Sequence, residues 1–309
     1  VTQASTDIWT TRKLLAWMRQ AFTKKELDAP GLMSEILLAH VLGCERLRLH
    51  MEADRPASPL ERETLRTLVT RALHHEPVQY LTGEAWFYGS AFKVDRRVLI
   101  PRPSTSTIID EILQHSRATP GFGGTAGPNA GEDVFFADLC TGSGCIAITL
   151  LKHLAKARAV ATDISQDALA VAAENAARHK VADRLDLVPG DLATALDTHP
   201  VARTEGCLHY LVSNPPYIPD HEWTAVEPNV KDHEPHLALR GGPDGLDFVR
   251  RLFSDAPRFL RPGGVMAVEI ASSTGKPALD LAKASPLLTN TRLVRDLEGH
   301  DRVILATRV

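Results

Sequence analysis

The segment Val212-Ser213-Asn214-Pro215-Pro216-Tyr217 gathers groups suited to holding a planar group that bears an NH2. Proline cannot donate to a sheet ladder, so an apolar strand running into this segment must stop at Asn214. The paired prolines leave carbonyls free to accept, the Asn214 side chain adds another acceptor, and Tyr217 adds a flat apolar face. Upstream, Asp138-Leu139-Cys140-Thr141-Gly142-Ser143-Gly144 runs from a strand through a glycine turn into a helix, a turn that lets a ligand approach the backbone closely. Alone this turn says little, because it lacks the third glycine of the full dinucleotide fingerprint. Asp163 ends the next strand, twenty-one residues after Gly142. Its carboxylate is placed either to accept from ribose hydroxyls or to start the helix at Ser165. Asp191 follows a third strand in Pro189-Gly190-Asp191-Leu192. Polar groups on successive strand ends place a ligand at the carboxyl edge of a sheet. Residues 214–217 alone would pass for a proline-stiffened loop; after the glycine turn and two acids, an acceptor clamp is the better account.

The elements that must position these groups are legible in the spacing of apolar residues. Strands are expected at Val134–Leu139, Ala159–Thr162, Leu185–Val188, Tyr210–Ser213, Val265–Ile270, Arg292–Asp296 and Val303–Thr307. Helices are expected between most of them, at Cys145–Ala157, Gln166–Lys180, Leu246–Leu260 and Lys276–Ala284. Such alternation predicts an α/β fold with a mostly parallel sheet covered on both faces. The connector at residues 298–301 is too short for a helical crossover, so the last two strands form an antiparallel hairpin.

The first eighty residues read instead as a small helical bundle. Leu15, Met18 and Phe22 share a helical face, Leu32–Leu42 is stopped by Gly43, and Ser58, Pro59 and Glu61 start a third helix. Leu65, Leu68, Val69, Ala72 and Leu73 stripe that helix. Aromatic and β-branched residues around Gly89 predict two short strands, and a short helix follows at Ile108–His115. The Gly- and Pro-rich residues 118–133 read as a loop, a linker rather than a lid. The expected division is a helical domain at 1–80, a hairpin connector at 81–104 and a sheet domain at 105–309.

Among 309 residues, 44% are hydrophobic and 24% charged, enough to build a core. The net charge of −3 argues against phosphate attraction as the main source of affinity, so no direct nucleic-acid binding is expected. The helical segment is balanced too, with eleven Lys/Arg against ten Asp/Glu over residues 1–80. The four cysteines form no zinc spacing and no metal is expected; they read as reduced thiols. No apolar run approaches the ~18 residues of a membrane span, and the opening residues are too polar for a leader. A cytoplasmic protein is expected.

Asp138 to Gly144, Asp163 and Asn214 to Tyr217 together resemble the class I S-adenosylmethionine-dependent methyltransferases that modify amide or exocyclic nitrogens. More narrowly the chain resembles the HemK/PrmC family, glutamine N(5)-methyltransferases of peptide chain release factors. The resemblance runs through Pro77–Tyr88, Val98–Pro103, Glu234-Pro235, Leu239–Gly242, Asp244–Leu246, Pro262–Gly264, Glu269-Ile270 and Asp296–Arg302. It implies a Rossmann-like seven-stranded sheet with an antiparallel last strand, plus an N-terminal helical bundle that holds the protein substrate. It implies that Cys140, Thr141, Gly142, Ser143 and Gly144 line the methionine end of S-adenosylmethionine. Asp163 would hold the ribose, and Asp191 and Leu192 the adenine; Asn214, counted with both sites, Pro215, Pro216 and Tyr217 would form the substrate clamp. The product would be S-adenosylhomocysteine, the partner a class 1 release factor, and the enzyme a monomer.

The chain departs from the family where Ser104 and Ser106 stand in place of two glutamates, and at Ala271 to Gly275. Three rival readings go with the clamp: a glutamine of a large-subunit ribosomal protein, the adenine amino group of a nucleic acid, and a silent homologue that only docks a translation factor.

Overall fold

The computed structural model describes residues 8–122 and 133–309. The expected loop at 118–133 therefore lies largely outside the described residues. The chain forms two compact units, Val1–Gly83 with Glu227–His233, and Glu84–Val226 with Glu234–Val309.

The first unit holds α1 (Thr11–Lys24), α2 (Pro30–Leu42), α3 (Arg46–Met51), α4 (Pro59–Ala72) and α5 (Val78–Thr82), with a single turn at Pro228–Lys231. Ser58 and Glu61 cap α4 reciprocally, so two otherwise orphaned N–H groups are satisfied before the apolar stripe begins. Leu65, Leu68, Val69 and Ala72 are buried, as is the α1 face of Leu14, Met18 and Phe22. Leu14 joins the α1 stripe, and the expected Leu15 is partly buried against the same core.

The second unit opens with an antiparallel hairpin, β1 (Glu84–Phe87) and β2 (Ser90–Lys93), turning at Tyr88 and Gly89. A helix, α6 (Ser106–Ala118), precedes the main sheet. Its strands are β3 (Phe135–Leu139), β4 (Arg158–Asp163), β5 (Leu185–Pro189), β6 (Leu208–Ser213), β7 (Leu260–Glu269), β8 (Leu288–Arg295) and β9 (Asp301–Arg308). The intervening helices are α7 (Cys145–His153), α8 (Gln166–Arg178), α9 (Asp247–Asp255) and α10 (Gly275–Ala284). The spatial order is β5-β4-β3-β6-β7-β9-β8. The first five are parallel, and β9 runs antiparallel between β7 and β8.

Alternation along the strands sends neighbouring residues into different cores. Phe136, Tyr210 and Val212 pack with α6 and α7, whereas Ala137, Leu139 and Leu211 pack with α9 and α10. The helix expected over Leu246–Leu260 ends early. Pro257 lacks the N–H that would continue it, so a 3-10 turn at Ala256–Phe259 follows and β7 starts at Leu260. The order reverses at β3, whose neighbours are β4 and β6, and crevices at such switch points are where open α/β sheets bind ligands.

Candidate active site

The carboxyl ends of β3 to β6 open onto a cavity of about 330 Å3. Cys140, Thr141, Gly142 and Ser143 line it from the turn after β3, Asp163 from β4, Asp191 and Leu192 from beyond β5, and Asn214 and Pro216 from beyond β6. Four strand ends that are far apart in sequence thus meet at one place. Three expected site residues stand outside the lining: Gly144, Pro215 and Tyr217. Gly144 begins α7 in the left-handed conformation, and a Cβ there would come within 2.9 Å of Ile148 Cδ1 and 3.3 Å of Ala172 Cβ. Its glycine is accounted for by the close packing of α7 on α8. Pro215 is buried, and Tyr217 is half-buried behind the cavity wall.

Asp163 has a double role. Its Oδ2 accepts from the Gly142 N–H at 2.9 Å and its Oδ1 from the Ser165 N–H at 2.9 Å, so it ties the glycine turn to the end of β4. Ser165, not Asp163, caps α8, accepting from the Ala168 N–H at 3.1 Å. A carboxylate offers about four acceptor positions, so two hydrogen bonds leave Asp163 able to take hydroxyl donors from the cavity. Burial pushes its pKa up, and the backbone N–H groups oppose that push.

Deeper in the sheet, Asp138 is fully buried. Its Oδ2 accepts from the Thr141 hydroxyl at 2.7 Å and the Ala147 N–H at 3.2 Å, holding the turn against α7. Its Oδ1 has no partner among the described residues, and burial raises the carboxyl to about 7. On the opposite side Asp191 Oδ2 accepts from Arg251 Nη2 at 2.6 Å, and Arg251 and Phe248 of α9 join the lining. The carboxylates of Asp163 and Asp191, together with a backbone turn left-handed at Cys140, Gly142 and Gly144, suit a ligand with hydroxyl and amino donors.

Asn214 sits half-buried at the end of β6, and its Nδ2 donates to Thr105 Oγ1 at 3.3 Å. Tyr217 Oη donates to Glu269 Oε1 at 3.1 Å from the end of β7. Burial pushes up both the Tyr217 phenol and the Glu269 carboxyl. The loop after Tyr217 is clamped by the Leu239–Gly242 segment, with the Ile218 N–H donating to Leu239 O and the Gly241 N–H to Ile218 O, both at 2.9 Å. Any Cβ at Gly241 would lie 2.7 Å from Tyr217 Cα, so only glycine permits that approach. A second clamp joins Val98–Pro103 to the Pro235 segment. The buried Glu234 accepts from the Ile100 N–H at 3.0 Å and from Arg102 Nη2 at 2.6 Å.

Thr105 lines the cavity, whereas Ser104 and Ser106, where carboxylates were expected from the resemblance, do not. Sequence reasoning passed over Thr105, Arg251 and the Arg102–Glu234 pair, whose partners lie at least 60 residues away. Glu269 carried a usable signal: a lone charge ending the apolar run Val265–Val268 is an exception that asks for a role.

Residues 13–83 match the PrmC N-terminal domain, and residues 129–242 match the methyltransferase small domain. The release factor glutamine methyltransferase of Chlorobaculum tepidum is 38% identical over 295 residues, covering 96% of each chain. That of Nitratidesulfovibrio vulgaris is 37% identical over 306 residues, covering 99% of this chain and 97% of its own. Among solved structures, the hMettl16 catalytic domain in complex with MAT2A 3'UTR hairpin 1 overlays with a TM-score of 0.54 at 13% identity, over 82% of this chain and 83% of that one. The last likeness speaks for the fold alone. With that fold, this cavity and relatives matched along nearly their whole length, the chain belongs to the family of release factor glutamine methyltransferases.

Proposed function

We propose that this protein transfers a methyl group from S-adenosylmethionine to the side-chain amide nitrogen of the glutamine in the Gly-Gly-Gln loop of class 1 peptide chain release factors. The observation that carries the reading is the half-buried Asn214, held at the cavity wall between the glycine turn and two prolines, within a chain 38% identical to a relative of that name. The turn at Cys140–Ser143 would hold the methionine end of the cofactor, Asp163 the ribose hydroxyls, and Asp191 with Leu192 the adenine. The cofactor supplies an activated methyl on a sulfonium.

The rest of the work falls to the chain. An amide nitrogen is a poor nucleophile because its lone pair is delocalised into the carbonyl. Asn214 Oδ1 accepts one N–H of the substrate amide, the Pro215 carbonyl accepts the other, and Tyr217 supports the clamp from behind. Fixing both N–H bonds aims the nitrogen and stabilises positive charge as it develops there, which lowers the barrier by orientation and electrostatics. No strong base is needed beforehand: as the S–CH3 bond breaks, S-adenosylhomocysteine leaves as a neutral thioether, and the alkylated nitrogen, only then acidic, gives its extra proton to water. The helical unit, whose sequence matches the PrmC N-terminal domain, would hold the body of the protein substrate. An active monomer in the cytoplasm completes the reading.

The test offers the purified protein, with methyl-labelled S-adenosylmethionine, a release factor, large-subunit ribosomal proteins and DNA in separate reactions. Label in the release factor is expected. Label confined to ribosomal protein or DNA, or cofactor binding with no transfer to any of the three, overturns it.

A further inference from the structure

Asn214 is a carboxamide, and only one of its two orientations makes an acceptor clamp. With Oδ1 toward the cavity it accepts an N–H; turned over, it presents a donor to a substrate NH2 and holds nothing. The side chain therefore needs a device that fixes the turn.

That device is buried behind the cavity. Thr105 is 1% exposed and Glu269 is 0% exposed. Thr105 arrives from the 3-10 turn Pro103–Thr105, and Glu269 from the carboxyl end of β7, beside the end of β6 that carries Asn214. Asn214 Nδ2 donates to Thr105 Oγ1 at 3.3 Å, and Tyr217 Oη donates to Glu269 Oε1 at 3.1 Å. The remaining oxygen of Glu269 is buried without a hydrogen-bond partner among the described residues. The pairing of Ser213 with Val268 sets Glu269 beside Asn214, which Thr105 touches, and the Thr105 hydroxyl opposes, as a donor, the upward push of burial on that carboxyl.

We propose that Thr105 and Glu269 are positioning residues that set the orientation of the Asn214 carboxamide and, through Tyr217, fix the other side of the clamp. Proton supply decides which way Asn214 turns. A carboxylate only accepts, and a threonine hydroxyl has a single proton. When that proton is directed to Glu269, Thr105 Oγ1 meets Asn214 purely as an acceptor. Only the NH2 end of the carboxamide satisfies it; the reversed side chain would set two oxygen lone pairs against each other in a buried place. Oδ1 is thereby turned to the cavity. One buried carboxyl thus acts on Asn214 through Thr105 and on Tyr217 directly, without touching the substrate. The inference rests on the clamp role given to Asn214 above.

The experiment compares Thr105→Val, which keeps the shape and loses the hydroxyl, with Thr105→Ser, which keeps the hydroxyl, and with Glu269→Gln. Turnover of a release factor, KM for it, Kd for S-adenosylmethionine and the melting temperature are measured for each. Thr105→Val is expected to lose about 30-fold or more in kcat, with cofactor Kd within about 2-fold, since misorientation of a reacting partner costs about 100-fold in rate. Thr105→Ser is expected to restore kcat to within about 3-fold, and Glu269→Gln to lose about 10-fold on the same reasoning. Wild-type kcat in folded Thr105→Val, or a loss that Thr105→Ser does not repair, overturns the proposal. A second readout uses no substrate: exchange of the Asn214 Nδ2 protons with solvent, followed by NMR on 15N-Asn protein. Those protons are expected to be protected in wild type and Thr105→Ser, and to exchange at least about 10-fold faster in Thr105→Val, as a lost anchor of about 1.4 kcal/mol requires. Equal exchange in all three overturns the proposal. If the wild type fails to methylate any release factor, the functional reading falls, and the exchange arm still decides this one.

Discussion

Replacing Glu234 with alanine probes whether the cavity wall is held by a single buried carboxylate. The Glu234 side chain is 1% exposed and accepts from the Ile100 N–H and from Arg102, whose side chain is 29% exposed. Glu234→Ala leaves the buried Ile100 N–H without its acceptor, a cost of about 1–3 kcal/mol. It also removes a charge-assisted bond worth about 1.5–3 kcal/mol, of which water at the partly exposed Arg102 recovers a share. The net expectation is a loss of about 3 kcal/mol, a large fraction of the ~5–15 kcal/mol that holds a domain together. Glu234→Gln keeps an acceptor for Ile100 and gives up only the charge, so about half that loss is expected. Because Leu99 and Pro101 on one side of the pair and Pro235 and Leu237 on the other line the cavity, the loosened wall also weakens S-adenosylmethionine. The expected weakening is about 5- to 10-fold, or about 1–1.4 kcal/mol. Urea unfolding followed by circular dichroism and by tryptophan fluorescence measures the first quantity, and calorimetric titration of the cofactor the second. An alanine variant within about 0.5 kcal/mol of wild type, with unchanged cofactor affinity, refutes the reasoning.

Two further substitutions test the glycine turn after β3. Gly144→Ala is expected to cost about 2–3 kcal/mol, because it combines a left-handed backbone with a contact to Ile148; Gly142→Ala, left-handed but with open space around its Cβ, is expected to cost only about 1–2 kcal/mol. Equal melting temperatures for the two variants would sink the packing explanation. Asp138 predicts a pH effect. Its folded pKa of about 7 lies above the ordinary 3.8, so its contribution to stability is full below about pH 4 and is lost as pH rises through 7. Asp138→Asn cannot ionise, so its stability should rise relative to wild type between those limits; parallel profiles would contradict the assignment.

The strands could be read from sequence because their ends leave local marks. Apolar runs stopped by Asp163, by Gly190 or by Asn214-Pro215 fix where each strand ends, and strand ends are where the cavity lies. The short connector at 298–301 likewise revealed the hairpin. It could not reveal that β9 inserts between β7 and β8, since either order satisfies the turn. Spacing finds the α1 face through Leu15, Met18 and Phe22, but only packing shows that Leu14 is the more deeply buried neighbour. Thr105 and Arg102 were invisible for a different reason. Their partners, Asn214 and Glu234, lie more than a hundred residues downstream, and nothing local to a threonine in a Pro-Ser-Thr-Ser run announces a buried acceptor.

The most direct measurement of the central claim is tandem mass spectrometry of a class 1 release factor after incubation with this protein and S-adenosylmethionine, run beside Asn214→Ala. One methyl on the side-chain nitrogen of the Gly-Gly-Gln glutamine is predicted, absent with Asn214→Ala, although that variant binds the cofactor with nearly wild-type affinity. A methyl on any other residue, or full methylation by Asn214→Ala, would contradict the account.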